Sequence, residues 1–213
     1  MNNFMIIGDS YSTYQGCIPE GYAVYYSPNG MSAEQPASKM AKEDTWWMRF
    51  IAKTGWNLVQ NNSWSGSTIG YTSYEGRDVS MSASYIYRYR QLLRQDYFRK
   101  NNIDTLFVFG GTNDSWCEAP LGEVKYDGFT EKELYNVLPA ICYLMKTMSE
   151  DLAGIRVIFL LNCGLKAQIG ACMKEAGARY GIEVVELKEI EKLGGHPNAR
   201  GMEQICEQVI ASL

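Results

Sequence analysis

Short apolar runs alternate with helical patterns along nearly the whole chain, and this alternation constrains the fold more than any other feature. Most of the runs are continuous, as is typical of strands that are buried on both faces of a sheet. Strands that alternate with helices form a parallel sheet with helices packed on both sides. The sequence therefore predicts an α/β fold. The predicted strands cover residues 4–7, 56–59, 105–109, 157–161 and 183–185.

Polar residues and glycine mark the ends of the predicted helices. Asp44 is the expected N-cap of a helix that ends at Gly55. Thr130 and Glu133 form a capping box before an apolar stripe at helical spacing. Asn198 is expected to start the last helix, which carries another apolar stripe. The predicted helices therefore lie between predicted strands, as the connections of a parallel sheet require.

The length of 213 residues suits one domain with a sizeable core, and we expect residues 1–213 to form it. One long loop departs from a minimal α/β unit. Residues 11–43 show little helical period and are rich in tyrosine, and long ordered loops are usually functional. The loop holds Tyr11, Tyr14, Tyr22, Tyr25 and Tyr26.

Charge and hydropathy argue against nucleic-acid and membrane partners. The net charge is −4 without an evident basic patch, and the basic stretch 88–100 is expected to be the solvated face of a helix. No segment is apolar for long enough to span a membrane. The N-terminus has no basic region followed by an apolar run, so we expect a cytoplasmic chain as written. A mature chain restarted with a new Met would look the same, which leaves export open.

The six cysteines are scattered without a C-x-x-C pair or a Cys/His cluster, so no metal site is expected. Cys172 and Cys206 fall on apolar helix faces and are interpreted as buried free thiols. This cysteine usage fits a reducing compartment, although weakly.

Candidate chemistry lies where ligands of such sheets bind, beyond the carboxyl ends of the strands. Ser10 follows the first strand in a Gly-Asp-Ser turn, and Gly66 lies in the polar segment after the second. Asn113 follows the third strand and could donate its side-chain N–H to a developing oxyanion. Taken singly, each segment is equally well explained as ordinary turn material.

His196 is the only histidine of the chain, and Pro197 braces the backbone beside it. A lone histidine is unremarkable by itself. Here it is expected at the same sheet edge as Ser10 and two candidate oxyanion donors. A nucleophile, a base and oxyanion donors are the minimum set for acyl transfer, so their coincidence favours an enzyme.

These four blocks, in this order, resemble those of the SGNH/GDSL hydrolases across nearly the whole chain. The resemblance implies a flavodoxin-like three-layer α/β/α sandwich with about five parallel strands. It implies that Ser10 is the nucleophile and His196 the base. It also implies an oxyanion hole made by the N–H groups of Ser10 and Gly66 and the side chain of Asn113. The implied reaction is a two-step acyl transfer that needs no metal or organic cofactor.

One position departs from the family pattern. Members usually carry Asp three residues before the histidine, where this chain has Leu193. Either Glu191 reaches His196 along a different loop path, or a backbone carbonyl orients the ring; Glu189 is also near in sequence but out of register. We expect a Ser–His dyad, with Glu191 at most indirectly involved. Asp9 and Asp114 are interpreted as supports of the turns they occupy.

The expected substrate is a small ester, with an acetyl or other short-acyl ester on a carbohydrate as the first choice. Aromatic faces with polar rims suit sugars, and the tyrosine-rich loop could form an aromatic wall with nearby tryptophans. The alternatives are a lysophospholipase or thioesterase of the same fold, and a catalytically silent ligand-binding module. The tryptophans in question are Trp46, Trp47, Trp64 and Trp116, of which Trp47 lies on an apolar stripe and is expected to be buried.

Overall fold

A five-stranded parallel sheet forms the centre of the protein, which is described by a computed structural model over residues 2–213; Met1 lies outside the described residues. The strand order is β2-β1-β3-β4-β5, so the chain passes from β1 to one side and then returns to the other. This order is that of the flavodoxin-like fold, whose ligands bind at the switch point between β1 and β3. The strands are β1 (Asn3–Gly8), β2 (Asn57–Ser63), β3 (Thr105–Gly110), β4 (Arg156–Leu161) and β5 (Glu183–Glu186).

All five predicted strands are confirmed, with β2 four residues longer at its carboxyl end than the apolar run suggested. The added residues are polar, so hydropathy alone does not mark them as strand. They pair through the backbone with β1, and the side chains of Asn61 and Asn62 are buried. A short hairpin of β6 (Lys192–Leu193) and β7 (His196–Pro197) stands apart from the main sheet.

Helices cover both faces of the sheet, because successive strand residues point to opposite sides. On β1, Met5 and Ile7 pack into one core and Phe4 and Ile6 into the other. The first core lies under α2, α5 and α6, and the second under α1 and α7. The helices are α1 (Trp46–Thr54), α2 (Tyr85–Arg94), α3 (Tyr97–Lys100), α4 (Thr112–Trp116), α5 (Val137–Asp151), α6 (Ala167–Tyr180) and α7 (Ala199–Ala211).

The predicted helix ends hold with two differences. Thr45 rather than Asp44 caps α1, since its side chain accepts the hydrogen bond of the Met48 N–H. The capping box at Thr130 precedes a 3-10 turn, and α5 begins only at Val137. The end of α1 at Gly55, the Asn198 cap of α7 and the buried free thiols of Cys172 and Cys206 are as predicted.

The tyrosine-rich segment 11–43 contains no α-helix and only short 3-10 turns, with an isolated bridge between Ser27 and Lys39. It is nevertheless well packed, since several of its tyrosines are buried in the core under α1 and α7. Among residues 2–213, no helix is long and apolar enough to cross a membrane.

The interpretation of 88–100 as a solvated face is wrong for Arg88, which is only 2% exposed. Its guanidinium donates to the carbonyl oxygens of Ala83, Asn62 and Gly8, to the Oδ1 of Asn62 and to the Oγ of Ser67. The carbonyls of Gly8 and Asn62 lie at the carboxyl ends of β1 and β2. The buried guanidinium is therefore compensated by five hydrogen bonds to oxygen acceptors.

We expect Arg88→Met to lower the free energy of unfolding by about 2–4 kcal/mol, because it removes the five hydrogen bonds of a buried side chain. Arg94→Met, on the exposed end of the same helix, is the matched control and should change it by less than about 0.5 kcal/mol. Urea unfolding followed by circular dichroism measures both. Equal losses for the two variants would contradict the structural role of Arg88.

Candidate active site

Ser10 stands in the turn that follows β1, at the carboxyl edge of the sheet. It begins a short 3-10 turn that Asp9 caps, since the Asp9 carboxylate accepts a hydrogen bond from the N–H of Tyr11 at 3.0 Å. The position before Asp9 requires glycine, because a Cβ atom on Gly8 would lie 2.6 Å from the Oγ of Ser63 on β2. The Gly-Asp-Ser motif is thus a tight turn pressed against the neighbouring strand.

His196 lies on the hairpin of β6 and β7, whose two-residue connection is Gly194-Gly195. Their φ values are 58° and 82°, and positive φ at both central positions is what a type I′ hairpin turn requires. Glycine meets this requirement without steric cost. The hairpin brings the Nε2 atom of His196 to 2.9 Å from the Oγ of Ser10, which is hydrogen-bonding distance.

No carboxylate among residues 2–213 is hydrogen-bonded to this imidazole. The Nδ1 atom of His196 lies 3.5 Å from the carbonyl oxygen of Gly194, at the outer limit of a hydrogen bond. Leu193, which replaces the usual Asp, is about half exposed. The alternative in which Glu191 reaches His196 is corrected: its Oε1 instead accepts a hydrogen bond from the Nδ2 of Asn198 at 2.5 Å, because Glu191 lies beside the start of α7.

Three aromatic rings surround the imidazole. Tyr25 stacks on it with a centroid distance of 3.7 Å and an interplanar angle of 10°. The rings of Tyr11 and Trp116 each lie 5.4 Å away at steeper angles. Burial is the main reason why the pKa of His196 falls to about 4; the positive charge of Lys192 adds to this and the Gly194 carbonyl opposes it. The imidazole is therefore neutral at neutral pH, as a general base must be.

The three candidate oxyanion donors belong to segments that are hydrogen-bonded to one another. Asn113 donates from Nδ2 to the carbonyl of Ser67 at 2.9 Å, and its Oδ1 accepts from the Tyr74 hydroxyl at 2.8 Å. The segment around Gly66 is held to the end of β1, since the Trp64 N–H donates to the Gly8 carbonyl. Among the described residues, the backbone N–H groups of Ser10 and Gly66 donate to no protein acceptor.

Asp9 and Asp114 are fully buried and hydrogen-bonded to backbone N–H groups. Asp114 accepts from the N–H groups of Ile69 and Gly70, which lie in the segment that follows Gly66. Burial raises the pKa of Asp114 to about 6 and that of Asp9 to about 7. The Oδ2 atom of Asp9 has no hydrogen-bond partner among the described residues. Asp9 therefore caps the turn it occupies. Asp114 differs from the expectation, because it holds the segment after Gly66 and not its own turn.

The predicted aromatic wall is present only in part. Trp46 and Trp47 are core residues, and their indole N–H groups donate to the Oγ and the carbonyl oxygen of Ser12, in the turn that carries Ser10. Trp64 is partly exposed and stacks on Tyr22 at 4.2 Å. Trp116 is 39% exposed beside His196. Only these last rings are open to a ligand.

Sequence reasoning missed Arg88 and Tyr74. Arg88 lies on the apolar face of its helix, three residues after Tyr85 and four before Leu92, so its position on the stripe was the available signal. No local signal marked Tyr74, because its contact with Asn113 joins residues 39 apart in the chain.

No three His, Cys, Asp or Glu side chains within residues 2–213 gather in a way that could hold a metal ion.

Comparison with known proteins finds similar sequences and structures over nearly the whole chain. Residues 2–213 match the family model described as GDSL-like lipase/acylhydrolase. No curated protein matches the chain. Among solved structures, proteins designated GDSL-like lipases from Bacteroides ovatus ATCC 8483 and Bacteroides uniformis ATCC 8492 are similar, at 36% and 38% identity with TM-scores of 0.89 and 0.90. Each alignment covers 100% of this chain, and 97% and 95% of the respective relative.

A more distant likeness concerns the fold alone. A family two carbohydrate esterase from Clostridium thermocellum, solved in complex with cellohexaose, is 16% identical with a TM-score of 0.62. The alignment covers 99% of this chain and 63% of that one. The family match and the Bacteroides structures extend over nearly the whole chain, and the chain belongs to the GDSL-like lipase/acylhydrolase family of ester hydrolases.

Proposed function

We propose that this hydrolase cleaves short-acyl carboxylic esters, with acetyl esters on a carbohydrate as the first choice, through an acyl-enzyme on Ser10. The observation that carries the proposal is the 2.9 Å contact between the Oγ of Ser10 and the Nε2 of His196. A neutral imidazole at this distance accepts the hydroxyl proton and turns a weak nucleophile into an effective one.

The reaction follows from the positions of these groups. The Oγ of Ser10 attacks the ester carbonyl carbon while Nε2 of His196 takes its proton. The carbonyl oxygen becomes an oxyanion, held by the N–H groups of Ser10 and Gly66 and by the remaining side-chain N–H of Asn113. The imidazolium then gives its proton to the leaving alcohol. Water, deprotonated by the same imidazole, attacks the carbonyl carbon of the acyl-enzyme. The bond from that carbon to Oγ breaks, the imidazolium returns its proton to Oγ, and the carboxylic acid leaves.

A dyad is the form of the catalytic machinery that the contacts favour. Glu191 is engaged by Asn198, and the nearest acceptor for the Nδ1–H of His196 is the Gly194 carbonyl. A carbonyl fixes the tautomer in which Nε2 is free to accept a proton, although it stabilises the imidazolium less than a carboxylate does. The low pKa of His196 is consistent with such a site.

The choice of a short acyl group rests on the shape of the surface. Cavities of about 580 Å³ and 430 Å³ exist, but neither is lined by Ser10 or His196. The larger follows the ends of β4 and β5, and the smaller lies near the amino ends of β3 and β4. A long acyl chain would need an apolar channel at the nucleophile, so a lysophospholipase or thioesterase is the less favoured alternative.

A sugar as the alcohol part is supported by the partly exposed aromatic rings near the nucleophile. Trp116 lies beside His196, and the Tyr22–Trp64 pair lies next to the Gly66 segment. Aromatic rings of this kind pair an apolar face with a polar edge. The fold is also shared with a carbohydrate esterase that was solved with cellohexaose. A catalytically silent binding module is disfavoured because the Ser10–His196 contact is intact.

Covalent labelling tests the nucleophile. We expect a fluorophosphonate to modify Ser10, as mapped by mass spectrometry, and Ser10→Ala to abolish both the labelling and ester hydrolysis without loss of fold. Ser12→Ala in the same turn is the control for the label and should retain it. A label on another serine, with full activity in Ser10→Ala, would remove the basis of the proposed mechanism.

The pH dependence tests the base. Protonation at low pH converts the imidazole to its charged form, which cannot accept the proton of Ser10. The value of kcat/KM should therefore rise with pH through the pKa of His196, with a midpoint at about 4, and then level off. NMR of the single imidazole gives the same midpoint independently. Glu191→Gln should leave rate and midpoint unchanged. A midpoint at or above the ordinary value of ~6.5 would indicate a charged partner of the ring.

A second inflection near neutral pH has a separate source in this structure. The pKa of Asp9 is raised by burial to about 7, and Asp9 caps the turn of Ser10. We assign an inflection of kcat/KM near pH 7 to Asp9 if Asp9→Asn removes it and the imidazole NMR signal does not follow it. An inflection of this origin does not contradict the role of His196 as the base.

Acyl length tests the substrate class. We expect p-nitrophenyl acetate and butyrate to have higher kcat/KM than esters of eight carbons or more, because neither of the two cavities described above is lined by Ser10 or His196. Acetylated oligosaccharides, assayed by acetate release, should then be cleaved, and Trp116→Ala should raise KM for them more than for p-nitrophenyl acetate. A clear preference for long acyl chains would favour the lysophospholipase or thioesterase alternative.

A further inference from the structure

The imidazole of His196 lacks the carboxylate that usually orients such a base, yet its Nε2 atom must keep facing Ser10. Its hydrogen bond from Nδ1 is long, at 3.5 Å, and goes to Gly194 in its own turn, so it does not tie the ring to the rest of the protein. The connection Gly194-Gly195 adds no rigidity, because glycine leaves the backbone free to adopt many conformations. Some other group must hold the hairpin and the ring in place.

Tyrosine hydroxyls hold the backbone on both sides of His196. The hydroxyl of Tyr11 donates to the carbonyl of Gly195 at 2.5 Å, and the hydroxyl of Tyr26 donates to the carbonyl of Pro197 at 2.8 Å. Both tyrosine side chains are fully buried. The peptide group that precedes His196 and the peptide group that follows Pro197 are therefore each held by a phenol that reaches across from the tyrosine-rich loop.

The ring itself is held by Tyr25, which stacks on it at 3.7 Å and is 5% exposed. Tyr25 is connected to the nucleophile through Thr13. The N–H of Tyr25 donates to the Thr13 Oγ1 at 2.9 Å, and this hydroxyl donates to the carbonyl of Ser10 at 3.1 Å. The stacking surface is thus anchored to the same turn that presents Ser10 to His196.

The geometry points to Tyr11, Tyr25 and Tyr26 as positioning residues that take the place of the orienting carboxylate. This inference rests on the proposed function, in which His196 is the base for Ser10. It gives the tyrosine-rich loop a role other than substrate contact: its tyrosines fix the peptide groups and the plane of the imidazole. Besides Ser10, the titratable groups facing the ring are Tyr11 and Tyr25 from the loop and Lys192 from the hairpin.

The hydroxyl contacts are tested with Tyr11→Phe and Tyr26→Phe, which remove one oxygen each and keep the rings. We expect each to lower kcat roughly tenfold and to leave KM within about twofold, because a displaced base slows the chemistry and not substrate binding. Tyr14→Phe is the matched control. Tyr14 is a buried tyrosine of the same loop, but its hydroxyl donates to the carbonyl of Met40, away from His196.

The stacking contact is tested with Tyr25→Phe and Tyr25→Leu. Phe keeps the stacked ring and should retain near wild-type kcat. Leu removes the ring, so kcat should fall, and the NMR midpoint of His196 should rise because water reaches the exposed face of the imidazole. Equal behaviour of Phe and Leu at this position would overturn the role of the Tyr25 ring.

Imidazole NMR separates failure of this inference from failure of the proposed function. An unlabelled, inactive wild type would refute the proposed function, whereas the single His196 signal reports on its position without any turnover. In Tyr11→Phe and Tyr26→Phe that signal should shift and broaden, while Tyr14→Phe leaves it unchanged. If all three variants are folded and share the wild-type signal and kcat, the tyrosines do not position the base.

Discussion

A buried guanidinium holds together the edge of the sheet on which the candidate catalytic groups stand. Arg88 donates to carbonyl oxygens at the ends of β1 and β2 and to the hydroxyl of Ser67. Ser67 in turn accepts from Asn113 through its carbonyl. One side chain from a helix therefore connects the turn of the proposed nucleophile with the segment of the candidate oxyanion donors. The loops that follow β1 and β2 are separate segments of the chain, and Arg88 bonds to the end of β1 and to the loop after β2.

Burial of titratable groups is the second constraint on this edge of the sheet. Burial keeps the imidazole of His196 neutral, and it raises the pKa values of Asp9 and Asp114 as well. A dry site strengthens the hydrogen bonds that would meet a developing oxyanion, but it makes each charged group costly. The absence of a carboxylate at His196 fits this balance, because a further buried anion beside Asp9 and Asp114 would be expensive. Tyrosine hydroxyls and a stacked ring supply orientation without adding charge.

The amount of the site that could be predicted depended on how local each signal was. Ser10, Gly66 and Asn113 follow strands directly, so a correct strand assignment places all three at one sheet edge. Tyr25 and Tyr11 were visible only as members of a tyrosine-rich loop, whose contacts with the His196 hairpin join residues more than 170 positions apart. No local pattern encodes such a pairing. Arg88 was missed because a charged side chain on an amphipathic helix is normally solvated.

The sequence by itself determined the α/β class, the five strands, most helix ends and the four blocks that carry the family resemblance. These follow from hydropathy period and from turn and capping residues, which act over a few neighbours. Only the tertiary structure decided that Glu191 is bonded to Asn198, that Trp46 is in the core, and that phenols flank His196. The physical reason is that such contacts depend on how distant segments pack against one sheet edge, which no local periodicity records.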